Sequence, residues 1–111
     1  MGLSNTSKNN AAAAGEYGSV FTDTTDALIA PSGSYFFSIT VIEKCKFNSS
    51  GGLVATDSSK YINTEAAASA GGSGGAQLDD STIFPAGITI FGQWTQIKIL
   101  TGASIMAQLA S

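Results

Sequence analysis

The chain has 111 residues, a net charge of −3 and one cysteine, and it contains neither histidine nor arginine. One thiol can form neither an intrachain disulfide nor, without histidine, a tetrahedral zinc site. The missing histidine also excludes a Ser/His or Cys/His catalytic pair within one chain, and scattered lysines without arginine argue against direct binding of DNA or RNA. We therefore predict a protein that is not an enzyme, with no catalytic, cofactor-binding or metal-binding residues and no nucleic-acid partner.

The length fits one domain at most, and the balance of apolar and charged residues favours self-association. Apolar residues make up 43% of the chain and charged residues 12%, so a monomer would be sparingly soluble unless partners cover part of its surface. No stretch approaches the roughly 18 apolar residues of a transmembrane helix, and the N-terminus lacks the apolar run of a signal peptide. The sequence predicts no membrane partner and synthesis in a cytoplasm, which agrees with the single unpaired cysteine.

Residues 1 to 15 are predicted to form an N-terminal arm that is flexible in the free chain, followed by a single β-domain over residues 16 to 111. Leu3 is the one large apolar residue of the arm beyond the initiator Met. Such a segment buries too little surface to offset the entropy that it loses on ordering. We expect the arm to order only on contact with a partner, which makes Leu3 a candidate interface residue.

Short strands separated by turns are predicted along the first half of the β-domain. Pro31 and Gly33 mark a tight reversal, because Pro sets φ and Gly allows positive φ. Residues 35 to 47 give the longest strand signal, since they are dense in aromatic and β-branched residues. Leu53–Ala55 can return as the hairpin partner of this strand. In chain order, the predicted strands of this half are residues 16–23, 27–30, 35–47, 53–55 and 61–64.

Alternation divides the longest predicted strand into a core face and an outer face. The outer face carries Lys44 and Lys46, so Cys45 points away from both and is predicted to be a buried core residue rather than a reactive thiol. Glu43 is the anomaly of the core face: it pairs with a lysine such as Lys98, or it lies near the strand end in solvent. The predicted core face consists of Tyr35, Phe37, Ile39, Val41, Glu43, Cys45 and Phe47.

Two polar segments follow, and both are predicted to lack regular structure. Residues 65 to 76 are Ala, Gly and Ser after an initial Glu, and we favour an exposed loop over a short helix at Glu65–Ala70 because the glycine pairs leave the backbone unconstrained. Asp79-Asp80-Ser81 could supply calcium ligands, but two adjacent aspartates lack the spacing of a calcium loop. An Asx turn leading into the next strand is the preferred interpretation.

The C-terminal segment, Ile83 to Leu109, carries the clearest turn and strand signals. Its predicted elements are a turn at Pro85-Ala86-Gly87, a strand over residues 88–91, a kink or bulge at Gly92-Gln93, and a hairpin that joins residues 94–100 to residues 103–109 through Thr101-Gly102. So many turns and so little helix are typical of an all-β fold, here a small antiparallel β-sandwich or barrel.

Trp94 and Met106 fall on the outer face of the predicted hairpin, among polar residues. Two interpretations of Trp94 stay open. It belongs to the core if the register slips by one residue at Gly92, or it anchors an interface, a role in which Trp is enriched. The predicted protein-interface residues are Trp94, Met106, Phe91 and Leu3.

The run from Ile83 to Thr95, Ile-Phe-Pro-Ala-Gly-Ile-Thr-Ile-Phe-Gly-Gln-Trp-Thr, resembles the closing segment of small tailed-bacteriophage virion proteins. In these proteins a Pro-Ala-Gly turn, an alternating strand, Gly and Trp precede a final hairpin. The resemblance implies a capsid decoration (cement) protein, usually a homotrimer, that binds the outer surface of the virion shell between subunits of the major capsid protein. It implies no catalytic or cofactor residues.

The alternative is a phage fibre, tail or head-spike subunit that takes part in host attachment, with the loop at residues 65 to 76 and Tyr61 facing outward. Copy number separates the two interpretations, because cement proteins are present in many copies per virion and fibres in few. A third class, a cytoplasmic enzyme or ligand-binding module, is disfavoured by the absence of His and Arg. Their absence does not exclude a site shared between chains.

Overall fold

A computed structural model describes residues 18–111, and in this range the chain is all-β, without a helix. One antiparallel sheet of six strands curls into a nearly closed barrel, which confirms the predicted fold class. The predicted arm, residues 1 to 15, and with it Leu3, lies outside the described residues. The strands are β1 (Ser19–Thr22), β2 (Leu28–Ile29), β3 (Tyr35–Glu43), β4 (Leu53–Ala55), β5 (Thr89–Ile97) and β6 (Ser104–Ala110).

β3 lies at the centre of the sheet, with β6 on one side and β5 on the other. Ile39 of β3, for example, is opposite Ala107 of β6 and Ile90 of β5. β1 pairs with β6, and β2 and β4 both pair with β5. The longest aromatic and β-branched strand is therefore hydrogen-bonded along both of its edges.

Both predicted hairpins are wrong, because pairing across the sheet replaces pairing between chain neighbours. β5 and β6 follow one another in sequence, but β3 separates them, so Thr101-Gly102 forms a turn without a hairpin. β4 likewise pairs with β5 rather than with β3. Both edges of the long β3 strand need hydrogen-bond partners, and among the described strands only β5 and β6 are long enough to supply them.

Apolar side chains from β3, β5 and β6 fill the barrel interior. Ile39 and Val41 of β3, and Cys45 and Phe47 beyond its end, are buried as alternation predicts. The Phe47 ring packs edge-on against Phe84, with ring centroids 5.2 Å apart, a geometry that aromatic pairs prefer. The large side chains that are fully buried include Trp94, Phe36, Phe47, Ile39, Leu53, Ile97, Ile99, Ile105 and Val41.

The first residues of β3 depart from the predicted core face, because Phe36 rather than Phe37 is buried. Phe36 pairs with Leu109 and Ser38 pairs with Gln108, so Phe37 is an extra residue relative to β6. Such a β-bulge shifts the alternation by one residue. A regular alternation from the middle of β3 therefore assigns the wrong phenylalanine to the core.

Glu43 is exposed at the end of β3, the second of the two environments predicted for it. Its Oε1 atom accepts a hydrogen bond from Ser104 Oγ at 3.2 Å. The carboxylate therefore keeps its contact with water, and the core contains no charge at this position.

Trp94 is fully buried, so the prediction that it anchors an interface on the outer face is wrong. Its indole Nε1 donates a hydrogen bond to the carbonyl oxygen of Ile62 at 2.7 Å, which satisfies the one polar group of the side chain. Gly92 makes room for the indole, since a Cβ at this position would lie 2.6 Å from Trp94 Cζ2. The core interpretation of Trp94 is the correct one.

Two irregularities in the pairing of β5 explain why Trp94 is buried. Against β3, Gly92 and Gln93 together oppose one residue, which confirms the predicted bulge, although β5 continues through it as one strand. Against β4, consecutive residues oppose Gln96 and Trp94, so Thr95 is an extra residue. The second irregularity shifts the alternation and turns Trp94 toward the same side as Ile97.

The short strand predicted around Asn63 is absent, and this buried amide organises a loop instead. Asn63 Nδ2 donates to the carbonyl oxygens of Ser58 at 2.9 Å and Tyr61 at 2.8 Å. Its Oδ1 accepts from the backbone N–H groups of Glu65 at 2.8 Å and Ala66 at 2.7 Å. These four bonds use the full capacity of the amide and hold the backbone in a compact turn.

Residues 65–76 form no helix, and the glycine-rich half of the segment is exposed. The Ser69 N–H donates to the carbonyl oxygen of Ser59 at 3.1 Å, and Gln77 Nε2 donates to that of Thr64 at 2.7 Å. Hydrogen bonds therefore hold the segment at Ser69 and again just beyond its end, at Gln77.

Candidate functional site

Phe21 of β1 and Met106 of β6 are opposite each other on the outer side of the sheet. Met106 is also opposite Thr40 of β3, and Thr40 is opposite Thr89 of β5, so one row of side chains crosses four strands. Residues directly opposite in an antiparallel pair share a face. The Thr40 and Thr89 hydroxyl oxygens are 2.9 Å apart and form a hydrogen bond, while Phe21 and Met106 are 56% and 43% exposed.

A second row runs parallel to the first and brings Phe91 to the same side of the sheet. Ser19 is opposite Gln108, Gln108 is opposite Ser38, and Ser38 is opposite Phe91 of β5. Phe91 is 71% exposed, more than any other large apolar side chain in the described range. We call these two rows the outer face; it consists of Ser19, Phe21, Met106, Gln108, Ser38, Thr40, Thr89 and Phe91.

The outer face contains no charged residue, although it extends over four strands. A well-solvated protein surface carries about 25–35% charged residues. Phe21 and Met106 are adjacent on the outer face, whereas Thr40 and the buried Ser38 of β3 separate them from Phe91. Full burial of one large apolar side chain contributes about 1.5–3 kcal/mol. Phe21, Met106 and Phe91 are only partly exposed, so covering them would contribute part of this amount per residue, against the cost of association.

The outer face reaches an edge of the sheet at β1, which pairs with β6 alone among the described strands. Proline, charged side chains and bulges commonly protect such edges from pairing with other chains. Ser19–Thr22 has the sequence Ser-Val-Phe-Thr, without proline or charge, and its pairing with β6 is regular. Among the described strands, none pairs with the other edge of β1, next to the exposed Phe21 ring.

The structure places two of the predicted interface residues, Met106 and Phe91, on the outer face, although not on one hairpin. Trp94 lies in the core instead. Phe21 is not among the predicted interface residues. Alternation with Val20 is the sequence pattern that would identify it, because Val20 packs against the core and the next side chain along the strand then faces outward.

A second surface feature is an open cavity of about 590 Å³ next to the C-terminal end of β3. Cys45 contributes to its lining but is only 1% exposed, which confirms the predicted core cysteine. Burial raises the pKa of the Cys45 thiol to about 11, so the thiol is protonated at neutral pH and is a poor nucleophile. The rest of the lining includes Lys44, Lys46, Ile83 and Leu100.

Two aspartates are used in tight turns. Asp79 Oδ1 accepts hydrogen bonds from Ser81 Oγ at 2.5 Å and from the Ser81 N–H at 2.9 Å, which confirms the predicted Asx turn. Asp57 makes the same pair of bonds with Ser59. The serine hydroxyl bonds, followed by the backbone bonds, lower the pKa of both carboxyl groups.

Among residues 18–111, no group of three or more Cys, Asp or Glu side chains is placed to hold a metal ion. The same range contains no helix that is long and apolar enough to cross a membrane. Comparisons with protein-family models, with curated proteins and with solved structures found no match to this chain. The outer face is therefore the feature from which a function can be argued.

Proposed function

We propose that the chain is a structural virion protein, a capsid decoration or cement subunit that stabilises a phage head by bridging major capsid proteins. The uncharged outer face, with Phe21, Met106 and Phe91 exposed on it, is the observation that carries the proposal. The resemblance of Ile83–Thr95 to phage virion proteins points to the same class. In this role the protein is made in the host cytoplasm and ends on the outer surface of the capsid.

The mechanism is burial of the outer face against neighbouring capsid subunits. Binding that occurs only to the assembled shell stabilises that shell by mass action. Pairing with neighbouring strands already fixes the backbone that carries these apolar side chains, so the ordering cost of binding is confined to the side chains. The N-terminal arm would add a second contact on ordering, at an entropic cost, and tethering through two sites increases overall affinity.

We also propose that copies of the chain associate with one another, as a homotrimer. The low fraction of charged residues, 12%, and the unprotected β1 edge support self-association. Small domains commonly gain stability by oligomerisation when disulfides and metals are not available, and this chain has a single cysteine.

The test uses virus particles that lack the chain, to which the purified protein is added. We expect the wild-type protein to bind in saturable amounts and to raise the temperature at which the particles lose their contents. The variant Phe21→Ser, Met106→Ser, Phe91→Ser should bind at least tenfold more weakly, since three apolar contacts of the interface are lost.

The matched control is Ile29→Ser, Ile62→Ser, which also removes exposed apolar side chains, 67% and 39% exposed in the wild type, but from outside the outer face. It should bind as the wild type does. Equal binding by the outer-face variant and this control, with both variants folded, would exclude the outer face from the mechanism.

The second candidate is a phage fibre, tail or head-spike subunit involved in host attachment. The exposed glycine-rich half of the loop at residues 65–76 supports it, because exposed loops on a rigid scaffold commonly carry recognition. Binding of the purified protein to host cells, abolished by shortening this loop, would favour this candidate over the cement subunit.

A further inference from the structure

We infer that the cavity next to the end of β3 is a binding site for an acidic and apolar segment of a partner protein, with Lys44 and Lys46 receiving its carboxylates. The cavity is separate from the outer face and shares no residue with it. The inference therefore goes beyond the proposed function, and it can be tested without a capsid.

The pairing beyond β3 builds the cavity. Cys45 bridges Phe84, with both of their N–H to carbonyl hydrogen bonds at 2.8 Å. Phe47 bridges Ile99 on the other side of the chain. Lys46, which lies between these two inward-facing residues, therefore points outward, as alternation requires.

The same register places apolar side chains next to the lysines. Lys46 is flanked by Ile83 on one neighbouring segment and by Leu100 on the other, and the Leu100 N–H donates to the Lys46 carbonyl oxygen at 3.0 Å. Ile83 is 56% exposed. Both side chains line the cavity, so its wall is apolar directly beside the ammonium groups.

In the segment that follows β3, residues 44 to 47, the two lysines are the only charged side chains. Lys44 and Lys46 are two residues apart and exposed on the same side, which separates their Cα atoms by about 6.5 Å. The neighbouring carboxylate, Glu43, accepts a hydrogen bond from Ser104. A ligand with carboxylates would meet two positive charges on one side of the chain.

The chemistry of the lining favours a protein segment over a nucleic acid. Arginine, which binds phosphate in a bidentate manner, is absent from the chain, and the lining has no aromatic side chain on which a base could stack. A short stretch of alternating acidic and apolar residues matches two lysines beside an apolar wall.

The experiment measures fluorescence anisotropy of a labelled octapeptide of alternating Asp and Leu, titrated with the full-length protein at low ionic strength. We expect saturable binding that weakens as salt is added. The double variant Lys44→Gln, Lys46→Gln should weaken binding between about twofold and thirtyfold, since each exposed ion pair contributes modestly. The variant Ile83→Ser should weaken it as well, because the apolar wall is lost.

The matched control is Lys60→Gln, which removes one charge from a loop outside the cavity, where the ammonium lies 5.5 Å from the Tyr61 ring centroid. It should leave peptide binding unchanged. Comparison peptides in which Asn replaces Asp, or Ser replaces Leu, should bind more weakly than the Asp-Leu peptide. The inference is wrong if the protein does not bind the peptide, if Lys60→Gln weakens binding as much as the double variant, or if a single-stranded DNA of the same charge binds equally well.

Discussion

Buried polar groups at two residues, Asn63 and Trp94, determine how the long connection between β4 and β5 is held. The amide of Asn63 makes four hydrogen bonds within this connection, and the indole of Trp94 makes one to the carbonyl oxygen of Ile62. Within residues 18–111 no buried side-chain nitrogen or oxygen lacks a partner. A connection with little regular structure is thus fixed by side chains rather than by strand pairing.

Replacing Trp94 by Phe should destabilise the domain by about 1–3 kcal/mol, because the change leaves a cavity and removes the donor to the Ile62 carbonyl oxygen. Urea unfolding measures the free energy of unfolding. The control is Phe91→Leu on the outer face, which should change the stability of the isolated protein by less than about 0.5 kcal/mol. Similar losses for both variants would contradict the assignment of Trp94 to the core and Phe91 to the surface.

Cys45 should react slowly with thiol reagents in the folded protein. Its side chain is 1% exposed, and burial raises the thiol pKa to about 11, so little thiolate forms even at mildly alkaline pH. The reaction can be followed by absorbance with an aromatic disulfide reagent, with and without denaturant. Rapid modification of the folded chain at neutral pH would show that the thiol is accessible and ionised.

The pKa of Cys45 in the folded state also determines how the stability of the domain changes at alkaline pH. This pKa lies above the value of 9.0 for a free thiol, so the thiol of the unfolded chain loses its proton first as pH rises. The contribution of the thiol to stability is therefore complete below about pH 9 and is lost as pH rises toward 11.

Among the elements, β5 carries two of the irregularities on which the core depends. The bulge at Gly92-Gln93 and the extra residue Thr95 change which side chains face inward. Ile97 and Trp94 can both be buried only because the alternation shifts between them. The bulges of β5 are therefore part of the core design and not defects of the sheet.

Substituting Gly92 by Ala should destabilise the domain by about 1–3 kcal/mol, the usual cost of overpacking. A Cβ there would lie 2.6 Å from Trp94 Cζ2 and 2.8 Å from Cη2, so the indole would have to move. The matched control is Gly72→Ala, where the nearest atom to the new Cβ is 3.4 Å away. This control should be neutral or slightly stabilising; a neutral Gly92→Ala would instead show that the indole relocates freely.

Sequence alone identifies the strands well and their partners poorly. Tyr35–Phe47 and Leu53–Ala55 are readable because aromatic, β-branched and turn residues act locally. The position of β3 between β5 and β6 depends on non-local pairing, which local patterns do not encode. The bulges of β5 can be predicted only in part. Gly92-Gln93 carries a local sequence signal, whereas Thr95 looks like an ordinary strand residue.

The candidate site can likewise be predicted from local sequence patterns only in part. Met106 and Phe91 are apolar residues in recognisable strands, so their candidacy could be argued from alternation. That they share an outer face with Phe21 follows only from the order β1-β6-β3-β5. The cavity at Lys44 and Lys46 likewise needs the bridges of Cys45 and Phe47, which connect residues far apart in the chain.

At the scale of the whole molecule, the proposal assigns a separate task to the N-terminal arm, which should extend the contact of each subunit with the capsid or a neighbouring copy. Deleting residues 2 to 14 should therefore lower occupancy on particles or remove the protection against heat. Particle sedimentation and heat inactivation measure these two effects. Occupancy and heat resistance equal to those of the full-length protein would remove the arm from the mechanism.

The outer face gives the whole domain one side without charged residues, on which Phe21, Met106 and Phe91 are exposed. A cement subunit repeats this contact at equivalent positions over the shell, whereas a fibre or spike subunit occupies few positions. The two proposed roles thus differ more clearly in the number of copies per particle than in any single contact.

The most direct measurement is the ratio of this chain to the major capsid protein in purified particles, by quantitative mass spectrometry. The cement proposal predicts a fixed, simple ratio with many copies in every particle. A few copies per particle would contradict it in favour of the attachment subunit, and complete absence from particles would contradict both virion roles.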